Sequence, residues 1–371
     1  MLRYPVPDAA IEFSAVKMAA ARRAPENPII TPEMVRPAVP GLEVVGAFNA
    51  AVARYQEEVL LLLRVAEAPA PSAGEAAAPI YSVDSGGVET RKWSLDAEGV
   101  DASDPRVITV GGRTWLTSIS HLRIARSADG IHFDIEPAPA LSATTAYETF
   151  GIEDPRITLI DDTYWINYSA VSPRGVSTAL ASTTDFRTFD RHGIIFPPSN
   201  KNVTIFPEKI GGSYHALHRP NLEGFERPAI WSATSQDLRS WGDHRFVAAA
   251  RDDGWDNEKI GGGAPPFRVR TGQHDGWVAI YHGVTGSPYA YSLGALLLHP
   301  DDPSRVIARS RDPILEPEAP YERDGFFNGV VFTCGLLVDG DRVRIYYGAA
   351  DGVTAVADLS LDEILSGLGP P

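Results

Sequence analysis

Apolar residues come in short runs, most of them alternating with polar ones, and Gly or Pro interrupts them along the whole chain. Alternation with a period of two marks strands, and punctuation this dense predicts many short strands joined by turns. Helical patterning is confined to residues 361–367 and, more weakly, 9–22. The runs also repeat. Asp104-Pro-Arg106 opens a stretch that turns at Gly111-Gly112 and ends at Trp115; fifty residues on, Asp154-Pro-Arg156 opens one that turns at Asp161-Asp162 and ends at Trp165. Weaker copies begin near Phe206, Pro266 and Val331, and residues 48–55 with 58–64 form another hairpin-like pair. Self-similarity at about 50 to 65 residues, built from short strands, is what a β-propeller leaves in a sequence. The expected fold is therefore all-β, a propeller with an axial pocket. Six such units are present, and a first and last unit sharing one blade would leave five. The Ala/Pro-rich stretch 66–79 is expected to be a flexible surface loop inserted within a domain.

Charge narrows the function. The 371 residues carry 33 Lys and Arg against 48 Asp and Glu, a net charge of −15. Binding to a phosphate backbone or an anionic membrane rewards basic surfaces, so neither nucleic acid nor membrane is an expected partner. A single cysteine, Cys334, allows no intrachain disulfide and no cysteine metal cluster. Asp8 and Glu12 interrupt what a secretory signal would keep apolar, and the longest tight apolar run, Val59 to Leu63, is too short to span a bilayer. A cytoplasmic location is expected.

A small propeller gathers the ends of its inner strands around one axis, so polar residues there converge although far apart in sequence. Residues that break the apolar pattern at such points are Asn49, Arg64, Asp104, Glu153, Asp154, Lys201, Asn202, Glu208, Arg219, Lys259, His282 and Asp351. Asp154 stands out. Two adjacent, partly buried carboxylates, Glu153 and Asp154, are expected to raise each other's proton affinity, which suits a general acid at neutral pH. Asp104 shares the Asp-Pro-Arg context but has Ser103 in place of the preceding acid, and is expected to form only a turn. Lys201, Arg219 and Lys259 come from three segments; meeting in one pocket of an acidic protein, they would hold an anion. Gly261–Gly263 is not a Walker loop, since no Gly-Lys-Ser/Thr follows. The nine histidines show no paired ligand spacing, so no metal is expected. Phe150, Trp165, Tyr168, Trp255, Tyr281, Phe326 and Phe327 lie near expected pocket ends, as sugar platforms or as core.

Taken in order, Glu26-Asn-Pro-Ile-Ile-Thr-Pro32, Phe48-Asn49, Gly151-Ile-Glu-Asp-Pro-Arg156, Phe206-Pro-Glu-Lys209, His218-Arg-Pro220, Trp241-Gly-Asp-His244, Trp255-Asp256, Lys259-Ile-Gly-Gly-Gly263, Tyr281-His-Gly-Val284 and Tyr346-Tyr-Gly-Ala-Ala-Asp351 resemble glycoside hydrolase family 130, the mannoside phosphorylases and related mannosidases. The resemblance covers residues 24–358. It implies a five-bladed propeller over 26–371, with residues 1–25 as an N-terminal extension. It also implies inverting phosphorolysis of β-1,2- or β-1,4-mannosides to α-D-mannose 1-phosphate, with inorganic phosphate as co-substrate and no cofactor. On the matching positions, Asp154 is the implied catalytic acid, its proton relayed through a sugar hydroxyl. Asn49, Arg64, Glu153, Asn202, His282 and Asp351 are the implied sugar-binding residues, and Lys201, Arg219 and Lys259 the phosphate-binding ones. Two positions depart from the pattern. Lys201, a point charge without a bidentate fork, stands where Arg is common, and Ala50 stands where a hydroxyl residue is common.

An inverting hydrolase needs an acid and a base, their carboxyls about 6.5–9.5 Å apart. An inverting phosphorylase needs only the acid, with cations where the base would stand, because phosphate is itself the nucleophile. The three basic residues favour phosphorolysis. A β-mannosidase and a non-catalytic glycan-binding propeller are the alternatives, and a homo-oligomer is compatible with either.

Overall fold

The structure, a computed structural model, describes residues 21–221 and 227–371. The helix expected over 9–22 falls outside the described residues except at its end. The apolar run 59–63 explains the architecture. It lies in the strand Glu58–Pro69, where Leu60, Leu61, Leu62 and Leu63 are fully buried. Successive strand side chains point to opposite faces, so this strand is covered on both sides. Leu60 and Leu62 pack against Ile152, Ile157 and Ile166, whereas Leu61, Leu63 and Val65 pack against Tyr346 and Val356. Each buried leucine is worth about 1.5–3 kcal/mol. A one-residue slip would exchange the two sets, so packing pins the register.

Five antiparallel meanders repeat this arrangement. The first sheet runs Leu42–Tyr55, Glu58–Pro69, Ile119–Ser127, Asp134–Ile135. The second runs Ile152–Ile160, Thr163–Ser172, Gly175–Thr183, Asp190–Phe196. The third runs Asn200–Ile205, Tyr214–Pro220, Ile230–Ser235, Trp241–Ala248. In the fourth, Lys259–Gly262 and Phe267–Arg270 share the long partner Asp275–Gly286; Tyr289–Leu298, Val306–Ser310 and Leu368–Gly369 follow. The fifth holds Val331–Asp339, Arg342–Ala349, Val353–Ser360 and, from the other end of the chain, Arg22–Arg23. Apolar clusters join the first sheet to the second, second to third, third to fourth, fourth to fifth, and fifth back to first.

Four expectations need correction. Arg22 and Arg23, placed in the extension, pair with Asp358 and Ala357, so they belong to the fifth sheet. The hairpins that begin and end the chain lie in different sheets and do not share one. The Asp104 unit is not a member of the ring: Val100–Asp101, Val107–Val110 and Arg113–Leu116 form a separate three-stranded sheet. With the hairpin Glu75–Ser82 and Gly87–Ser94, it fills an insertion between the second and third strands of the first sheet. Finally, most of 66–79 is strand, because Glu58–Pro69 and Glu75–Ser82 run into it from both sides. The short C-terminal helix, Leu361–Ser366, is present and capped by Ser360, whose Oγ accepts from the Glu363 N–H at 3.2 Å.

Candidate active site

Three first strands carry the same irregularity. The pairing skips two residues against one between Phe48 and Ala51, between Glu153 and Arg156, and between Lys201 and Thr204. These are β-bulges, which re-aim side chains. Within each bulge one non-glycine residue takes a left-handed backbone: Asn49 at φ 50°, Asp154 at φ 48° and Asn202 at φ 56°. Asn and Asp are the side chains best suited to that region. The residue before each faces Arg64, Ser169 and Arg219 on the neighbouring strand. The sequence signal was a small polar residue after Phe48, Glu153 and Lys201, and its structural meaning is one device used three times.

The bulges open on a cavity of about 350 Å³. Asn49, Arg64, Glu153, Asp154, Lys201, Asn202, Arg219, His282 and Asp351 all line it. On one side Arg64 bridges the two adjacent acids, donating to Asp154 Oδ1 and to Glu153 Oε1, both at 2.9 Å. Asn49 Nδ2 donates to the same Asp154 oxygen at 2.9 Å. Arg156, almost fully buried, donates to the carbonyls of Asp154 (2.8 Å), Gly263 (3.0 Å) and Gly262 (3.3 Å), tying the second sheet to the fourth. The glycine run lets this strand lie close against His282 and against Asn202 of the third sheet. A Cβ on Gly261 would lie 2.5 Å from the His282 ring and 2.7 Å from Asn202, and one on Gly262 would lie 2.6 Å from the Asn202 carbonyl.

The expectation that Glu153 would raise the Asp154 pKa is overturned. Burial pushes the Asp154 carboxyl up, but Arg64, Arg156, the Asn49 amide and Lys201 together outweigh it and hold it below the ordinary aspartate value. Asp351 is the carboxyl that rises, to about 6, through burial and the nearby charges of Asp154 and Glu153, against the opposing pull of Arg64 and Arg106.

The other side is cationic. Lys201 and Arg219 are direct cross-strand partners in the third sheet. An Arg219 NH1 lies 3.5 Å from His282 Nε2, and His282 is held well below its ordinary pKa by burial and by Arg219, Lys259 and Arg156, so it is neutral. The buried Arg219 Nε and Asn49 Oδ1 find no hydrogen-bond partner among the described residues. Lys259 does not reach the wall. It donates to the Tyr289 hydroxyl at 3.2 Å and sits 5.1 Å from the centre of the Tyr291 ring, behind the lining.

Residues 113–368 match the family model of glycoside hydrolase family 130, described as beta-1,4-mannooligosaccharide phosphorylase. The chain belongs to glycoside hydrolase family 130. Among its family 130 relatives, a beta-1,2-mannobiose phosphorylase of Listeria innocua is 48% identical over 92% of this chain and 96% of its own length. A 1,2-beta-oligomannan phosphorylase of a Thermoanaerobacter species is 40% identical over 66% of this chain and 80% of its own. A solved structure of the Listeria innocua phosphorylase with beta-1,2-mannobiose superposes with a TM-score of 0.89 at 47% identity, covering 94% of this chain and 98% of that one.

The remaining residues singled out in the sequence fall elsewhere, Asp104 in the turn expected of it. Glu208 is exposed, and Asp104 pairs with Arg106 on the insertion. Of the expected aromatic platforms only Phe326 and Phe327 line the cavity; Phe150 packs in the core with Trp115, Trp165 lies against His192, Tyr168 is buried and Trp255 stacks on Tyr281. Sequence reasoning missed Arg106, Arg156, Tyr291 and Phe332. Arg156 was legible only as the third residue of a turn motif, and Arg106 was set aside with Asp104.

Proposed function

We propose that this protein is an inverting β-mannoside phosphorylase acting on β-1,2-linked manno-oligosaccharides, with an axial site in a five-bladed β-propeller. The ring of five sheets supports the propeller reading. The division of the cavity carries the mechanism: carboxylates come from the second sheet and from Asp351, cations from the third, with His282 beside them. The 48% identity to a beta-1,2-mannobiose phosphorylase supports the substrate class. Lys201 and Arg219 hold phosphate, with Lys259 adding charge from behind Tyr289. One phosphate oxygen attacks the anomeric carbon on the face opposite the leaving sugar. The glycosidic C–O bond breaks, its oxygen takes the Asp154 proton through a sugar hydroxyl, and the product is α-D-mannose 1-phosphate. Asn49, Arg64, Glu153, Asn202, His282 and Asp351 position the sugars.

In the free protein Asp154 is an anion. Lys201 is among the charges that keep it so. Phosphate bound at Lys201 neutralises that charge, so arrival of the nucleophile favours the protonated acid. A hydrolase would need a carboxylate where Lys201 and Arg219 stand. The test is turnover of β-1,2-mannobiose with and without phosphate, for wild type and Asp154→Asn. Turnover that requires phosphate, yields mannose 1-phosphate and falls about 10²–10⁴-fold in the variant is expected; equal cleavage without phosphate would turn the reading to a hydrolase.

A further inference from the structure

The insertion in the first sheet does more than decorate the ring. Its Asp104-Pro-Arg106 turn reaches back to the cavity mouth, where Arg106, Val107 and Leu116 become lining residues. Arg106 is pinned in two ways. Asp104 accepts from its Nε at 3.0 Å and from its NH2 at 2.7 Å, and Asp104 also accepts from the Arg106 backbone N–H at 2.9 Å. The planar guanidinium then lies over the Phe327 ring, 4.3 Å from its centre. Phe327 belongs to the loop that leads into the fifth sheet, so two segments more than two hundred residues apart meet across the opening. The Arg106 charge is also felt by Asp351, whose carboxyl it pulls down. Among the described residues, neither Arg106 nor Asp104 forms a hydrogen bond or ion pair with Asp154, Lys201 or Arg219.

We propose that the Arg106–Phe327 bridge is a chain-length gate: it closes the cavity over the leaving sugar and sets how many mannose units extend beyond the cleaved bond. This rests on the mannoside reading given above. An apolar ring with a cation laid across it is a lid of fixed height. On this proposal a disaccharide lies beneath it, and a third sugar must displace the guanidinium and forgo the stacking. Such contacts are worth about 0.5–1 kcal/mol at exposed sites, which corresponds to roughly two- to fivefold in a ratio of affinities. Arg106 is nearly half exposed, so removing it disturbs no core.

The test uses the full chain in an Asp154→Asn background, so that nothing is cleaved, and measures calorimetric affinity for β-1,2-mannobiose and β-1,2-mannotriose with Arg106, Arg106→Ala and Arg106→Lys. The expected result is a mannotriose-to-mannobiose affinity ratio raised about two- to fivefold by Arg106→Ala, with a smaller rise for Arg106→Lys, which keeps charge but loses the planar stack. An unchanged ratio overturns the gate. So does a variant that leaves both sugars alone and weakens binding of inorganic phosphate, since Arg106 would then belong to the anion side. Because binding is read without turnover, this outcome is separate from whether the wild-type enzyme requires phosphate.

Discussion

At the scale of single residues, the acidic side of the site is held together at a cost in stability. Asp351 takes a left-handed backbone, φ 52°, and its carboxyl titrates near 6 because burial and the adjacent acids oppose its charge. The sign follows. A carboxyl whose folded pKa lies above its unfolded value is favourable to folding when protonated, and that advantage is lost as pH rises through 6. Wild type therefore bears a penalty above pH 6 that is absent near pH 3.5. Asp351→Asn is neutral at every pH. It is expected to melt higher than wild type at pH 8, by up to about 2–3 kcal/mol of stability, and to show no such gain at pH 3.5. The same variant should bind mannoside more weakly, as expected where function and stability compete. Thermal denaturation at the two pH values checks the first statement, and an Asp351→Asn protein that gains equally at both would refute it.

At the scale of elements, second strands alternate between the site and a brace. Tyr168, Tyr281 and Tyr347 each immediately precede the residue that meets the first strand beside the cavity. Each hydroxyl donates to a buried acid in the segment ahead of its sheet: Glu148 at 3.0 Å, Asp256 at 2.7 Å and Glu322 at 2.7 Å. Each acid also takes a guanidinium from an outer strand, Arg191, Arg309 and Arg23 respectively. The acid–Tyr–Arg brace thus locks the inner and outer strands of three sheets. In the sequence it was legible only as scattered aromatics and arginines, because its members lie as many as 299 positions apart. In the fifth sheet the brace recruits the N-terminal strand. Burial pushes the Glu322 carboxyl up, but Arg23, two backbone N–H groups and the Tyr347 hydroxyl bring it below the ordinary glutamate value. Its contribution is therefore present above about pH 4.5 and lost as pH falls below that. Arg23→Ala leaves Glu322 buried and without its cation, and is expected to cost about 3 kcal/mol at pH 7, with the difference from wild type shrinking as pH falls below 4. Chemical denaturation across that range checks it.

At the scale of the whole molecule, the strand-rich class and most of the cavity were legible, since a period of two and a polar residue at the start of an inner strand are local signals. Asp104 forms the turn expected of it; what misled was counting its unit as one of the repeats of the ring. Asp104 and Asp154 look alike over twelve residues, yet one is a turn on an insertion and the other a bulge in the ring, and the difference lies in which strand pairs with each. The site is consequently a property of the closed ring, because the Glu153–Asp154 carboxylates of the second sheet and the Lys201–Arg219 pair of the third line one cavity. Lys201 and Arg219 illustrate this. Like charges directly opposite on adjacent strands are destabilising, and here the pair is held facing the cavity, with Arg219 Nε unpartnered among the described residues. If phosphate binds between them as proposed, it removes the repulsion, and it should bind the folded ring and not the unfolded chain. At a phosphate concentration about 100 times its Kd, mass action alone adds about 2.7 kcal/mol of stability. Wild type is therefore expected to melt progressively higher as phosphate is raised at constant ionic strength. On the proposed reading, Arg219→Ala relieves the repulsion and removes the phosphate anchor together. It is expected to match or exceed wild type in melting temperature without phosphate and to gain little when phosphate is added. An Arg219→Ala protein that gains as much as wild type would place the anion elsewhere in the ring.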